Sequence, residues 1–351
     1  MSKYWTKAVR DAKPYTPGEQ INQPNLLKLN TNENPYPPSP NVIKAITKET
    51  GDSLRLYPTP TMDSLRDTIG KNFNLKRDNV FVGNGSDEVL AFSFMAFFKR
   101  GSTIKYPSIT YSFYPVYANF FNISVDEVAL EEDFSINPEN FYNAPGGIIF
   151  PNPNAPTSLY LNLEAIELIL KNNPNNVVIV DEAYVDFATE SAARLIDSYD
   201  NLLIIQTLSK SRALAGLRVG FALGQPHLIE ALIRMKDSFN SYPVDRLALV
   251  GGEAAIRDNI YFREITNKII KTRETTITEM TSLGFEVLPS QANFIFTKHP
   301  KHRGKKLYEQ LKEANILVRH FNHAFIDEYL RITIGTDEEM KRLIKFLKEI
   351  L

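Results

Sequence analysis

Lys210 is the residue with the most chemistry open to it. It follows Ser209, just beyond a short apolar segment at residues 202–206 that reads as a strand. A lysine at the carboxyl end of a sheet strand stands where open α/β sheets bind ligands. Its amine can form a Schiff base with a carbonyl; the plainer role is a solvated loop lysine. Asp181 directly follows a second apolar run, residues 177–180, one strand–helix unit earlier, so both side chains emerge at the same sheet edge. A carboxylate there is costly to bury unless a cation meets it. A protonated pyridine nitrogen is such a cation; a turn cap is the plainer role. Tyr184, three residues on, can reach the same ligand. Arg218 closes the segment Ala213-Leu214-Ala215-Gly216-Leu217-Arg218 and precedes a strand at residues 219–223. It can grip an anion through two N–H groups or serve in a surface ion pair. Finally, Gly83-Asn84-Gly85-Ser86-Asp87-Glu88 leads from a strand into a helix, where free backbone N–H groups and the helix dipole suit a phosphate. Each feature is weak alone. Together they describe a phosphorylated pyridine aldehyde held by a lysine, namely pyridoxal 5′-phosphate.

Composition removes the competing chemistries. The chain has 351 residues, room for about two domains and a large core. It contains no cysteine, so disulfides, thiolate metal sites and thiol nucleophiles are excluded. The 5 histidines lack metal-site spacing. Lys plus Arg number 40 against 41 Asp plus Glu, leaving no basic excess for a nucleic-acid backbone or an anionic membrane. The most apolar run, residues 89–98, falls short of the roughly 20 residues that cross a bilayer, and residues 1–13 carry charges and no apolar signal core. The expectation is a cytoplasmic protein acting on small molecules.

Elements able to position these residues are legible. Short apolar strands at 79–82, 102–106, 124–129, 147–150, 177–180, 202–206 and 219–223 alternate with helices, the pattern of a mainly parallel sheet covered on both faces. This predicts a large α/β domain over residues 45–255. Residues 256–351 read as a smaller α+β domain, with strands near 285–288, 294–296, 316–318 and 330–334. Thr336-Asp337-Glu338-Glu339 is a capping box opening the last helix. Residues 1–44, rich in Pro and Asn, read as an extended arm that also joins the small domain.

The residues also resemble a family. Ser209-Lys210 with Arg218, Asp181-Glu182-Ala183-Tyr184 and Asn154-Ala155-Pro156-Thr157 look like the fold-type I aminotransferases of class II. Leu29-Asn30-Thr31-Asn32-Glu33-Asn34-Pro35-Tyr36 and Leu330-Arg331-Ile332-Thr333-Ile334-Gly335-Thr336 narrow the resemblance to the branch acting on histidinol phosphate. It covers residues 12–351. The resemblance implies that Lys210 holds the cofactor and shuttles a proton, that Asp181 keeps the pyridine nitrogen protonated, and that Tyr184 hydrogen-bonds the ring oxygen. It places Tyr111 on the ring face and Gly85, Ser86, Asp87, Ser209 and Arg218 around the phosphate. Tyr57, otherwise a turn aromatic before Pro58, resembles a tyrosine donated across a homodimer interface. One departure stands out. Relatives commonly read Asn-Pro-Thr-Gly, with the Asn on the ring oxygen, whereas a gapless match puts Ala155 there. Asn154 is expected to substitute, or else Tyr184 makes that contact alone.

For the substrate, Arg331 resembles a carboxylate-binding arginine, with Arg319 as a second guanidinium, Tyr15 near the substrate phosphate and Asn34 also at the substrate. Structural ion pairing is the plainer role for both arginines. The implied reaction moves an amino group between L-histidinol phosphate and 2-oxoglutarate, a step of histidine biosynthesis. An aromatic amino-acid aminotransferase, a threonine-phosphate decarboxylase and a non-enzymatic cofactor-binding regulator are the alternatives.

Overall fold

The computed structural model describes residues 2–15, 18–21 and 23–351. Its strands run in chain order as β1 (Leu27–Lys28), β2 (Val80–Asn84), β3 (Thr103–Pro107), β4 (Ser124–Val128), β5 (Ile148–Pro151), β6 (Val178–Asp181) and β7 (Leu202–Thr207). There follow β8 (Val219–Gly224), β9 (Glu286–Val287), β10 (Phe294–Lys298), β11 (Ile316–Leu317), β12 (Arg319–His320) and β13 (Leu330–Thr333).

Seven strands form the large sheet in the order β2-β8-β7-β6-β5-β3-β4. Only β8 runs against its neighbours; the contiguous set from β7 to β4 is parallel. Every residue of β6, β7 and β8 is buried, as a sheet covered on both faces requires. Alternation along β7 divides its side chains between two cores. Leu202 and Ile204 join Val180 and Phe221 on one face, while Leu203 and Ile205 join Ile179 and Ala222 on the other. The helices Pro40–Glu49 and Arg246–Arg257 bury residues in the first core, and Gly85–Phe97 and Pro226–Phe239 in the second.

The small domain folds around β12-β13-β10-β9, all antiparallel. Its core takes Ile265 and Ile269 from the long helix Asn259–Ser282 and Leu343 and Leu347 from Asp337–Ile350. Thr336 and Glu339 cap the latter helix reciprocally, as the sequence predicts. Leu27 and Leu29 of the arm are buried in the same core, and β1 pairs in parallel with β11. The strand expected at 316–318 ends at Leu317: β11 pairs with the arm, and a separate β12, beginning at Arg319, pairs with β13. Two-residue strands carry too little hydrophobic pattern to be resolved from sequence.

Candidate active site

Topology brings the reactive residues to one rim. β6 and β7 are parallel neighbours, with Asp181 opposite Ile205, so the chain leaves both at the same edge. The antiparallel β8 begins where β7 ends, which returns Arg218 to that edge. Lys210, Asp181 and Arg218 accordingly line a single cleft of about 630 Å3, together with Tyr111, Tyr184, Ser86, Asp87 and Ser209.

Lys210 is half-buried. Its Nζ donates to the Thr31 carbonyl at 3.2 Å and stands 5.9 Å from the centre of the Tyr184 ring. Asp181 is 4% exposed. Its Oδ2 accepts from the Tyr114 hydroxyl at 2.9 Å and its Oδ1 from the Ala183 N–H at 3.2 Å. Burial pushes its carboxyl up to about 6, against the downward pull of those two hydrogen bonds. No cation pairs with it among the described residues, so a buried carboxylate waits for a charged partner from a ligand.

The cradle is built from backbone. Helix Gly85–Phe97 starts at the rim, and its first N–H groups have no partner within the helix. Gly85 has φ +77°, and a Cβ on it would lie 2.4 Å from Arg218 Nη2. A Cβ on Gly220 would lie 2.3 Å from the Ser86 nitrogen, so β8 and the helix start approach as only glycine permits. Arg218, itself left-handed at φ +53°, turns its guanidinium onto Asp87 Oδ2 at 2.9 Å. Asp87 Oδ1 accepts from the Tyr111 hydroxyl at 3.0 Å. With its carboxylate taken, Asp87 offers an anion its backbone N–H. Ser209 Oγ accepts from Thr207 Oγ1 at 2.9 Å, leaving its own hydrogen for a ligand.

Across the cleft, Arg319 on β12 lies directly opposite Arg331 on β13. Neither guanidinium pairs with a carboxylate among the described residues, which removes the structural ion pair as their explanation. Arg331 Nη2 donates to the Asn30 carbonyl at 3.0 Å, while its buried Nε has no partner. Burial first, and the charge on Arg319 further, hold its guanidinium below the ordinary arginine range. Both guanidiniums stand over the Phe321 ring, at 5.5 and 5.6 Å. Two like charges in register are unfavourable without an anion between them. Tyr15 joins this end of the cleft and stacks on Phe113 at 4.6 Å.

Asn154 and Asn34 lie off the cleft, and Tyr57, expected at a partner's cleft, is absent from that of its own chain. Asn154 is buried off the cleft; its Nδ2 donates to the Ile109 carbonyl and to Thr157 Oγ1, each at 3.0 Å. Ala155 and Pro156 line the wall in its place. Asn34 does not line the cleft either: its Nδ2 holds the carbonyls of Lys210 and Ser211 at 2.9 and 3.2 Å. It shapes the lysine loop. Tyr57 is 79% exposed and stacks on Tyr242 at 4.8 Å, away from the cleft of its own chain. Conversely, two residues received no role from the sequence. Tyr114 supports Asp181, and Asn32 donates to the Tyr184 hydroxyl at 2.9 Å. Asn32 lies inside the segment Leu29–Tyr36, whose motif is the available signal; Tyr114 has none beyond its proximity to Tyr111.

Comparison with known proteins places this cleft. The family described as aminotransferase class I and II matches residues 24–347. The chain belongs to that family. Histidinol-phosphate aminotransferase 1 of Oceanobacillus iheyensis is 55% identical over all of this chain and 99% of its own. Histidinol-phosphate aminotransferase 2 of Dechloromonas aromatica is 56% identical, with the same coverage. Among solved structures, the histidinol-phosphate aminotransferase of Clostridium acetobutylicum superposes with a TM-score of 0.86 at 25% identity, over 93% of this chain and 99% of that one. The enzyme of Sinorhizobium meliloti, solved with pyridoxal 5′-phosphate, shares the fold at a TM-score of 0.87 and 20% identity, over 100% and 99%. That cofactor fits an aminotransferase cleft built this way. It brings a carbonyl for Lys210, a basic nitrogen for the buried Asp181, and a phosphate for a helix start against which Arg218 packs.

Proposed function

We propose that this aminotransferase moves an amino group between L-histidinol phosphate and 2-oxoglutarate, using pyridoxal 5′-phosphate. The observation that carries the reading is the unpaired Arg319–Arg331 couple, set across one cleft from Lys210 and Asp181. Histidinol phosphate presents a phosphate, and glutamate presents carboxylates, so one site must hold both kinds of anion in turn. Two guanidiniums that pair with no carboxylate among the described residues serve either. The names borne by full-length relatives point to the same substrate.

The bound cofactor supplies an electron sink conjugated to the carbon that carries the amino group. Lys210 Nζ would hold the cofactor carbonyl and would carry a proton to and from the carbon that bears the amino group. Asp181 keeps a proton on the ring nitrogen, and the Tyr114 hydroxyl keeps Asp181 ionised. Tyr184 would donate to the ring oxygen, and Tyr111, anchored through Asp87, would pack on the ring. Gly85, Ser86, Ser209 and Arg218 hold the phosphate. Asn154 serves by shaping the loop that presents Ala155, and Asn34 by fixing the Lys210 backbone.

We place the protein in the cytoplasm as a homodimer; among the described residues no helix is long and apolar enough to cross a membrane. Tyr57, exposed and stacked on Tyr242, forms an aromatic surface suited to a second copy, whose cleft Tyr57 would enter.

The deciding experiment compares kcat/KM for histidinol phosphate, phenylalanine and threonine phosphate in the first half-reaction. Histidinol phosphate is expected to lead by at least about a hundredfold. A lead for phenylalanine would make this an aromatic aminotransferase, and carbon dioxide released from threonine phosphate would make it a decarboxylase.

A further inference from the structure

Tyr184 is short of polar company. Ala155 and Phe294 pack beside its ring, Asn154 is turned away, and among the described residues the hydroxyl has one partner, Asn32 Nδ2 at 2.9 Å. Asn32 is 1% exposed, and hydrogen-bond chemistry settles the orientation of its amide. Its backbone N–H donates to Thr333 Oγ1 at 3.0 Å, so the hydrogen of that hydroxyl must point elsewhere. The acceptor it meets, at 3.1 Å, is Asn32 Oδ1. Turning the amide over would leave that hydrogen without an acceptor among the described residues. The atom facing Tyr184 is therefore the nitrogen. Asn293 Nδ2 adds a third tie, to the Asn32 carbonyl at 3.0 Å. Asn32 holds φ +55°, a conformation asparagine tolerates. Because the phenol oxygen already receives an N–H, its own hydrogen is left for a ligand in the cleft.

We propose that Asn32 is a positioning residue that aims the Tyr184 hydroxyl at the ring oxygen of the cofactor, with Thr333 locking the Asn32 amide. The inference rests on the cofactor reading above. Asn32 thus supports, from one step away, the contact that Ala155 has no amide to make. Thr333 and Arg331 share β13, so the strand that grips the substrate anion also fixes this hydrogen bond.

The test is the pH midpoint of the visible absorption change of the holoenzyme, which reads the bond at the ring oxygen independently of turnover. Losing a donor makes that oxygen more basic; it then holds the proton of the adjoining lysine linkage more tightly, and the midpoint rises. Asn32→Asp preserves shape but presents an oxygen that takes the Tyr184 hydrogen. It is expected to raise the midpoint by about one pH unit, with no further rise when added to Tyr184→Phe. Thr333→Val should give a smaller rise, and Thr333→Ser should restore the parent value. An equal rise from Asn32→Asp with and without the Tyr184 hydroxyl would mean that the new charge alone acts, and would overturn the proposal. Unchanged midpoints in all these variants would overturn it too. A parent protein with no visible band would remove the cofactor reading itself, a failure distinct from either.

Discussion

Arg218 and the pair Arg319–Arg331 put the same side chain into opposite settings. Arg218 is tied to Asp87 at 2.9 Å and sits against a glycine-tight helix start; its position is set before any ligand arrives. Arg319 and Arg331 face each other across β12 and β13, and among the described residues neither pairs with a carboxylate. The first setting suits a group that stays. A paired guanidinium with fixed backbone donors gives geometry and gains little from each new anion. The second suits groups that come and go, because each arriving anion relieves a repulsion that returns when it leaves. Partner count, more than residue type, separates the cofactor end of this cleft from its substrate end.

The largest expected effect removes the link between the two ends. Lys210→Ala should abolish the visible band of the purified protein and lower turnover by about a thousandfold or more; a band unchanged in the variant would refute the lysine assignment. Next comes the cost of a cofactor end that lacks its guest. Burial raises the Asp181 carboxyl from 3.8 to about 6 in the folded protein. Its contribution to stability is therefore full below pH 4 and lost as pH rises through 6. The neutral Asp181→Asn apoprotein should be more stable than the parent at pH 8 by up to about 3 kcal/mol, measured by denaturant unfolding. That gain should vanish near pH 4, while cofactor affinity falls. A gain independent of pH would break the argument.

Arg331→Met tests the substrate end alone. A loss of about a hundredfold in kcat/KM is expected for histidinol phosphate and glutamate alike, with the absorption spectrum unchanged. Arg331→Lys should recover only part, since a point charge cannot bind an anion through two parallel N–H groups. If cofactor retention fell equally, the two ends would not be separable. Smallest is Ser209→Ala, which removes one hydroxyl without a clash; cofactor should dissociate about tenfold more readily in dialysis, with little change in KM for substrates of the loaded enzyme.

The large sheet was readable because its strands are short, apolar and buried on both faces; β6 and β7 begin and end within one residue of the segments expected. Lys210, Asp181 and Arg218 were readable because a strand end places each of them. What escaped is what depends on distant partners. Asn32 meets Tyr184 and Thr333 across 152 and 301 residues of chain, and no local pattern encodes such a contact. Asn154 and Asn34 were assigned to ligands from their motifs, yet their amide N–H groups are spent on backbone carbonyls and a threonine hydroxyl nearby. Sequence reveals that an asparagine is present, but not which way its amide faces.

The reversal of β8 carries a consequence for how this protein can change over time. Because β7 and β8 are antiparallel, Lys210 and Arg218 sit at the two ends of one short connection and need no long crossover between them. The loops at the opposite edge of the sheet can lengthen without reaching the cleft. This connection cannot: an added or deleted residue between 211 and 217 would move one reactive end relative to the other. It should be the stretch of the large domain least tolerant of altered length, even though several of its side chains could be exchanged freely.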